Sequence, residues 1–397
     1  MRVSTQGMFM QGLTMMQRLQ TALDYTQRQI SSGRSILKPS DDPIASARAL
    51  EIRESLSRLG QFDRNANLAE NRLAQEEEAL GTVNNVLQRV RELALQANSG
   101  TQSDETRKLI AIEMRQQLDH LMQVANQKDG NGRYLFSGNL EDTEPVTRAG
   151  STFSYNGDQG QRFIQVGENT RIADGDSGAD VFFRIRAGNG VFTAAPAATN
   201  AGTGVLGPGS LVNPSAWDQG AYEVRFVDQS NYEVTDASAT LVTSGTFTPG
   251  DTLAFAGIEF AISGQPAAGD TFDVAPSAYK DVFTTIDELA NSIETNALGD
   301  AQTAALNNGI NAGLLGLDQA IGNVLEVRTK VGSRLAVIET QVDNNASFSL
   351  SFESTLADIE DLDYAEALSR LSLQASTLEA AQKSFVRTQT LSLFNYF

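Results

Sequence analysis

Two stretches near opposite ends of the chain carry apolar residues at alternating spacings of four and three. Phe9, Leu13, Met16, Gln20, Leu23, Gln27 and Ile30 form one, with two glutamines in register. Tyr364, Leu368, Leu371, Ala375, Leu378, Gln382 and Phe385 form the other. This spacing gathers each set into one stripe on a helix, the pattern of helices that pack lengthwise. A single stripe is satisfied by burial inside one domain. Two matching stripes at opposite termini predict arms that pack on each other and on neighbouring subunits.

Proline and capping residues set the limits of the helices. None of the nine prolines lies between Ile44 and Glu144 or after Pro276, so the two ends can be helical. Asp42 can cap a helix that has Pro43 at its first position, and Asp363 with Glu366 has the form of a capping box. Ser103 before Asp104 and Glu105 marks another start. These signals predict helices over about 5–31, 43–97, 103–128, 281–296, 300–360 and 363–393. Gly309, Gly313, Gly316, Gly322 and Gly332 argue against an unbroken helix in the fifth, since glycine is a poor helix former.

The middle of the chain reads differently. It is rich in Gly, Thr and Asn and holds short alternating runs, Arg162–Val166 and Tyr222–Val227, that predict strands. The fold class expected is α+β: a long antiparallel helical bundle or coiled coil formed by the two arms, with an inserted β-rich domain. The corresponding division is an assembly helix at 1–38 paired with another at 361–397, a helical core from 39–139 and 277–360, and an outer β-rich domain at 140–276.

Charge and composition then narrow the function. The net charge of −19 over 397 residues disfavours nucleic acid and anionic membrane as partners. Residues 1–139 hold 17 Lys/Arg against 16 Asp/Glu, the middle 6 against 17 and the remainder 7 against 16, so a near-neutral first arm faces an acidic last arm. With no cysteine, disulfides, thiol nucleophiles and thiolate metal sites are excluded. The first twenty residues lack the apolar run of a secretory signal, and no stretch suggests a membrane span.

Candidate chemistry is sparse. His120 is the single histidine, so one chain cannot assemble a histidine-based zinc site or a Ser-His-Asp triad; it is expected to be a surface residue. Gly202–Gly207 matches the letters of a dinucleotide fingerprint, but Pro208 and Gly209 stand where a helix should open, and a flexible loop is expected. Asp174–Asp180 clusters oxygen ligands without the spacing of a calcium loop; a solvated turn is expected, with weak calcium binding left open. Glu76-Glu77-Glu78 is read as a solvated helix face. No catalytic, cofactor-binding or metal residue is assigned.

Several motifs carry a family resemblance. Ile30-Ser31-Ser32-Gly33-Arg34 runs into Lys38-Pro39-Ser40-Asp41-Asp42-Pro43, and Tyr134-Leu135-Phe136-Ser137-Gly138 closes the first helical arm. Val331-Gly332-Ser333-Arg334-Leu335, Asp361-Leu362-Asp363-Tyr364-Ala365 and the final Ser392-Leu393-Phe394-Asn395-Tyr396-Phe397 complete the set. Together they resemble the flagellin superfamily, and Pro39 and Pro43 favour its hook-filament junction family, hook-associated protein type 3 (FlgL), over filament flagellin. Gly33, Pro39, Asp41, Asp42, Pro43, Gly332 and Arg334 carry that likeness.

The resemblance implies a structural, non-enzymatic, extracellular subunit of the bacterial flagellum. It would form a ring of copies on the first hook-associated protein (FlgK type) and receive flagellin above. It also implies export in unfolded form through the flagellar apparatus, with a chaperone (FlgN type). Its implied assembly interface is the two stripes, Phe9, Leu13, Met16, Leu23 and Ile30 with Tyr364, Leu368, Leu371, Leu378 and Phe385. A filament flagellin, or a secreted enzyme carried by the β domain, are the alternatives.

Overall fold

A computed structural model of the chain describes residues 5–390. Six helices frame it: α1 (Thr5–Ser32), α2 (Pro43–Ala97), α3 (Asp104–Ala125), α4 (Val282–Glu294), α5 (Asp300–Glu360) and α6 (Tyr364–Thr390). Their limits follow local chemistry. Asp42 Oδ1 accepts the N–H groups of Ile44 and Ala45 at 3.1 and 2.9 Å, with Pro43 opening α2. Ser103 caps α3 through the N–H of Thr106 at 3.2 Å, and Asp281 caps α4 through that of Thr284 at 2.6 Å. Asp363 receives the N–H groups of Ala365 and Glu366, whereas the Glu366 side chain turns outward to Arg370.

The chain divides into two compact units, one built from its ends up to Arg64 and from Gln341 onward, the other from Asn65–Thr340. In the second unit the helices are patterned by heptads. Ala66, Ala69, Leu73, Glu76, Leu80, Val83, Leu87, Val90, Ala94 and Ala97 of α2 are all buried. On α5, Leu306, Ile310, Leu317, Ala320, Val324, Val327 and Val331 follow the same rhythm.

The glycines do not interrupt α5. A Cβ on Gly309, Gly313 or Gly316 would lie 2.6–2.7 Å from Ser292, Leu289 or Thr285 of α4. Close helix approach therefore offsets a propensity cost of about 1 kcal/mol per glycine.

Between α3 and α4 the chain forms strands β1 (Val146–Ala149), β2 (Thr152–Tyr155), β3 (Phe163–Gln165), β4 (Arg171–Ala173), β5 (Ile185–Arg186), β6 (Phe192–Pro196) and β7 (Val205–Leu211). Then come β8 (Tyr222–Phe226), β9 (Asn231–Asp236), β10 (Leu241–Thr246), β11 (Thr252–Phe255), β12 (Ile258–Ser263), β13 (Thr271–Pro276) and β14 (Tyr279–Lys280).

An antiparallel five-stranded sheet runs β10-β9-β8-β13-β6, and a three-stranded one runs β11-β12-β7. β1-β2, β3-β4 and β5-β14 are two-stranded ribbons. In β8, Tyr222, Val224 and Phe226 point inward and Glu223 and Arg225 outward. Phe226 packs edge-on to Phe247 and Phe272 at centroid distances of 5.1 and 5.9 Å, at the heart of the β core.

The segment after Gly204 departs from expectation, because it is strand β7 rather than a loop. Pro208 is tolerated there: β7 lies at a sheet edge, and its pairing with β12 shifts register between Phe260 and Ile262. Side chains from α5 complete the β7 backbone. Asn308 Oδ1 accepts the Leu206 N–H at 2.8 Å and its amide donates to Gly204 O at 2.9 Å. The Asn311 amide donates to Leu206 O at 3.1 Å.

Candidate assembly surface

The candidate surface belongs to the first unit, and its motif residues are explained by one clasp. Gly33 ends α1 with φ +72°, a left-handed conformation that favours glycine. Its carbonyl accepts the Leu362 N–H at 3.0 Å, and the Ser35 N–H donates to Glu360 O at 2.7 Å. Arg34 and Asp361 form an antiparallel bridge, and Arg53 pairs with Glu360.

The two aspartates of Lys38-Pro39-Ser40-Asp41-Asp42-Pro43 divide the work. Asp42 caps α2, while Asp41 Oδ2 accepts the Lys38 N–H at 2.8 Å and the Tyr25 hydroxyl at 2.9 Å, tying the loop back to α1. Desolvation pulls the Asp41 carboxyl upward. The Lys38 N–H, the Tyr25 hydroxyl and the Leu37 N–H outweigh it and hold the carboxyl below its usual range. Pro39 is exposed within the loop.

From this clasp α1 and α6 run antiparallel. Phe9 meets Phe385 at 5.2 Å between centroids, and a Cβ on Gly12 would lie 2.8 Å from the Phe385 ring. Along α1, solvent is lost at Gly12, Met16, Leu19, Leu23, Thr26 and Ile30; along α6 it is lost at Ala367, Leu371, Gln374, Leu378, Ala381 and Phe385.

Met16, Leu23, Ile30, Leu371, Leu378 and Phe385 therefore stand where the spacing put them. The remaining stripe positions do not face the α1–α6 seam. Leu13, Gln20, Gln27, Tyr364, Leu368, Ala375 and Gln382 are exposed, and so is Phe9, although its ring meets Phe385. At three places on α6 the inward residue is the preceding one, Ala367, Gln374 or Ala381. At 367 and 381 that residue is alanine, whose small side chain lets the helices approach closely, and at the first of these the larger Leu368 turns outward.

Large apolar side chains are also exposed on both helices, among polar and charged ones. Met8, Met10 and Met15 of α1 are more than half exposed, as are Leu368, Leu373 and Val386 of α6. In the same unit, Ile44 of α2 and Leu350 of α5 are 84% and 71% exposed.

The remaining motif residues lie in the second unit, where the structure corrects two expectations. Asp174–Asp180 is not a solvated turn: Asp174, Asp176 and Ser177 are buried. Arg334 donates to Asp176 at 2.8 and 2.9 Å, and Arg162 pairs with Asp174. Both carboxylates are engaged by arginine rather than offered to a cation.

Glu76 is not on a solvated face either. It is 1% exposed in the α2 heptad, with Oε1 accepting the Asp176 N–H at 3.0 Å. Burial first, and the adjacent Asp176 second, push its carboxyl up to about 8. Glu77 pairs with Arg328 and Glu78 is exposed.

Tyr134–Gly138 is the seat of this node. Phe136 O accepts the Gly178 N–H at 2.8 Å and the Tyr155 hydroxyl at 2.9 Å, and Arg72 reaches Tyr134 O at 3.4 Å. Gly332 is exposed and His120 lies on the outer face of α3. The motif Ser392–Phe397 lies outside the described residues.

These features define a protein of the flagellin class, and comparison with known proteins agrees. Residues 3–141 match the bacterial flagellin N-terminal helical region and 314–397 the C-terminal helical region. The likeness to flagellins themselves is partial: Phase 1 flagellin of Salmonella naestved is 38% identical over 118 residues, covering 30% of this chain and 23% of that protein.

Two others match at greater length. The crystal structure of FlgL from Xanthomonas campestris is 35% identical, covers 77% of this chain and 99% of its own, and superposes with a TM-score of 0.73. Flagellar hook-associated protein 3 of Salmonella typhimurium is 24% identical over 394 residues, 99% of each chain. The chain belongs to the FlgL (hook-associated protein 3) family.

Proposed function

We propose that the chain is a structural subunit of the hook-filament junction. It would assemble as a ring of copies on the first hook-associated protein (FlgK type) and receive flagellin on its distal side. The observation that carries this reading is the α1–α6 hairpin: its seam is filled from within the chain, yet large apolar side chains such as Met10, Met15, Leu368, Leu373 and Val386 stay more than half exposed outside it. A surface that costs solubility in a free subunit is accounted for if neighbouring subunits cover it.

Export in unfolded form, with an escorting chaperone (FlgN type), belongs to the same reading, as does an extracellular location. Cysteine is absent, so no disulfide cross-links the chain. The β-rich segment is read as structural rather than catalytic. Its buried aspartates serve backbone and arginine: Asp270 alone accepts the N–H groups of Ala201, Gly202 and Ala267 at 2.8, 3.0 and 2.9 Å.

Deleting the gene tests the reading. Cells should carry hooks without filaments and release flagellin monomer into the medium, and the intact gene should restore filaments. Normal filaments in the deletion strain would refute it, and loss of hooks as well would place the protein earlier in assembly.

A further inference from the structure

The ionic node holds two buried polar atoms that the mechanism of assembly does not use. Glu76 Oε2 and Arg72 Nε, one turn apart on α2, are inaccessible and have no hydrogen-bond partner among the described residues. Both border the same spot. A Cβ built on Gly175 would lie 3.6 Å from Arg72 Nε, 3.8 Å from Glu76 Oε2 and 3.9 Å from Leu135 O. A donor, a carboxyl oxygen and a carbonyl thus converge beside a residue that has no side chain.

Charge fixes the state of Glu76. Arg72 faces Asp129, Glu141 and Asp174; Arg162 faces Glu141 and Asp174; Arg133 faces Glu141; Arg334 faces Asp176. The four arginines are balanced by the four carboxylates, so the node is neutral only if Glu76 is uncharged. Oε1 accepts the Asp176 N–H, which makes it the carbonyl oxygen and leaves the proton on Oε2. That hydroxyl needs an acceptor, and Oε2 has no hydrogen-bond partner among the described residues.

We propose that the corner bounded by Arg72, Glu76, Leu135 and Gly175 is a binding site for one water molecule, which accepts from Arg72 Nε–H and from protonated Glu76 and donates to Leu135 O. Three partners is the usual number for a buried water. The site also accounts for Gly175. Its backbone does not have the positive φ that favours glycine, and the Cβ contacts would be ordinary, so alanine fits the protein but occupies the space of the water.

The assignment links water to proton. Glu76 holds its proton in the folded chain well above the usual carboxylate range, because of burial and then Asp176. A raised folded value means that stability is fully present below the unfolded value. It falls as pH rises toward about 8 and is then lost. In that window this group raises the unfolding constant by up to about tenfold per pH unit.

The test uses full-length protein, unfolded by urea between pH 5.5 and 9, with Glu76→Gln and Gly175→Ala. Gln keeps the carbonyl and a donor without a titrating proton, so its unfolding constant should lose the alkaline rise seen in the wild type. Gly175→Ala, which ought to be neutral or stabilising on chain-entropy grounds, should instead raise the unfolding constant by about tenfold at pH 7. A crystal structure of the wild type should show the water within hydrogen-bond distance of the three groups. An alkaline rise unchanged in Glu76→Gln, an unimpaired Gly175→Ala, or a dry corner in the crystal would each overturn the proposal.

Discussion

Arg334 on α5 grips Asp176 through two hydrogen bonds of 2.8 and 2.9 Å, joining a helix to a loop 158 residues earlier in the chain. The fork geometry matters, because guanidinium matches a carboxylate with two parallel donors. Arg334→Ala removes it and leaves Asp176 buried beside Glu76. Urea denaturation should show a loss of about 3–5 kcal/mol. Arg334→Lys should recover only part of that, since an ammonium group cannot supply the same planar pair.

Gly12 is expected to tolerate no side chain while Phe385 is present. Gly12→Ala places a Cβ 2.8 Å from the ring and should loosen the hairpin by about 1–3 kcal/mol, read as faster amide exchange in α1 and α6. Combining it with Phe385→Leu should be milder than the sum of the two single changes. Strict additivity would show that the two residues do not meet.

The inner and outer faces of α6 should separate in experiment. Leu371→Asp puts a charge into the seam, so both helix pairing and incorporation into flagella should fail. Leu368→Asp and Leu373→Asp lie outside the seam and should leave circular dichroism and α1–α6 exchange protection unchanged while blocking incorporation. Growth of normal filaments with the outer substitutions would remove the assembly role from that face.

Asp42→Ala should cost about 1 kcal/mol through loss of the α2 cap. Asp41→Asn acts differently. The folded chain holds the Asp41 carboxyl below its usual range, so its contribution is present above the unfolded value of 3.8 and is lost as pH falls through the folded one. The gap in stability between wild type and Asp41→Asn should therefore close on acidification, measured by urea titration from pH 6 down to 2.

What could be read from the sequence was whatever depended on neighbours in the chain. Asp42 with Pro43, Ser103 and Asp363 marked helix starts because capping needs only the next three residues. Stripe positions were half legible: a period of 3.5 locates a face, but not whether Leu368 or Ala367 turns inward, which is decided by how near the opposite helix comes.

Glu76 left a signal that was missed, since it falls in register with Leu73 and Leu80 of the buried α2 heptad. A charge at such a position asks for a partner, but that partner lies 100 residues away in a loop without periodicity. The same holds for Asn308 and Asn311, whose task depends on a strand about a hundred residues earlier.

Those asparagines have a further consequence. A strand at the margin of a sheet is an open template on which another chain can form a fresh ladder, and β7 contains glycine and serine but no charge to discourage it. By standing in as a surrogate strand, Asn308 and Asn311 use up the hydrogen-bonding groups of Gly204 and Leu206 that an intruding chain would need. Where many identical copies crowd together, association is then steered to helix faces and away from amyloid-like pairing of β edges.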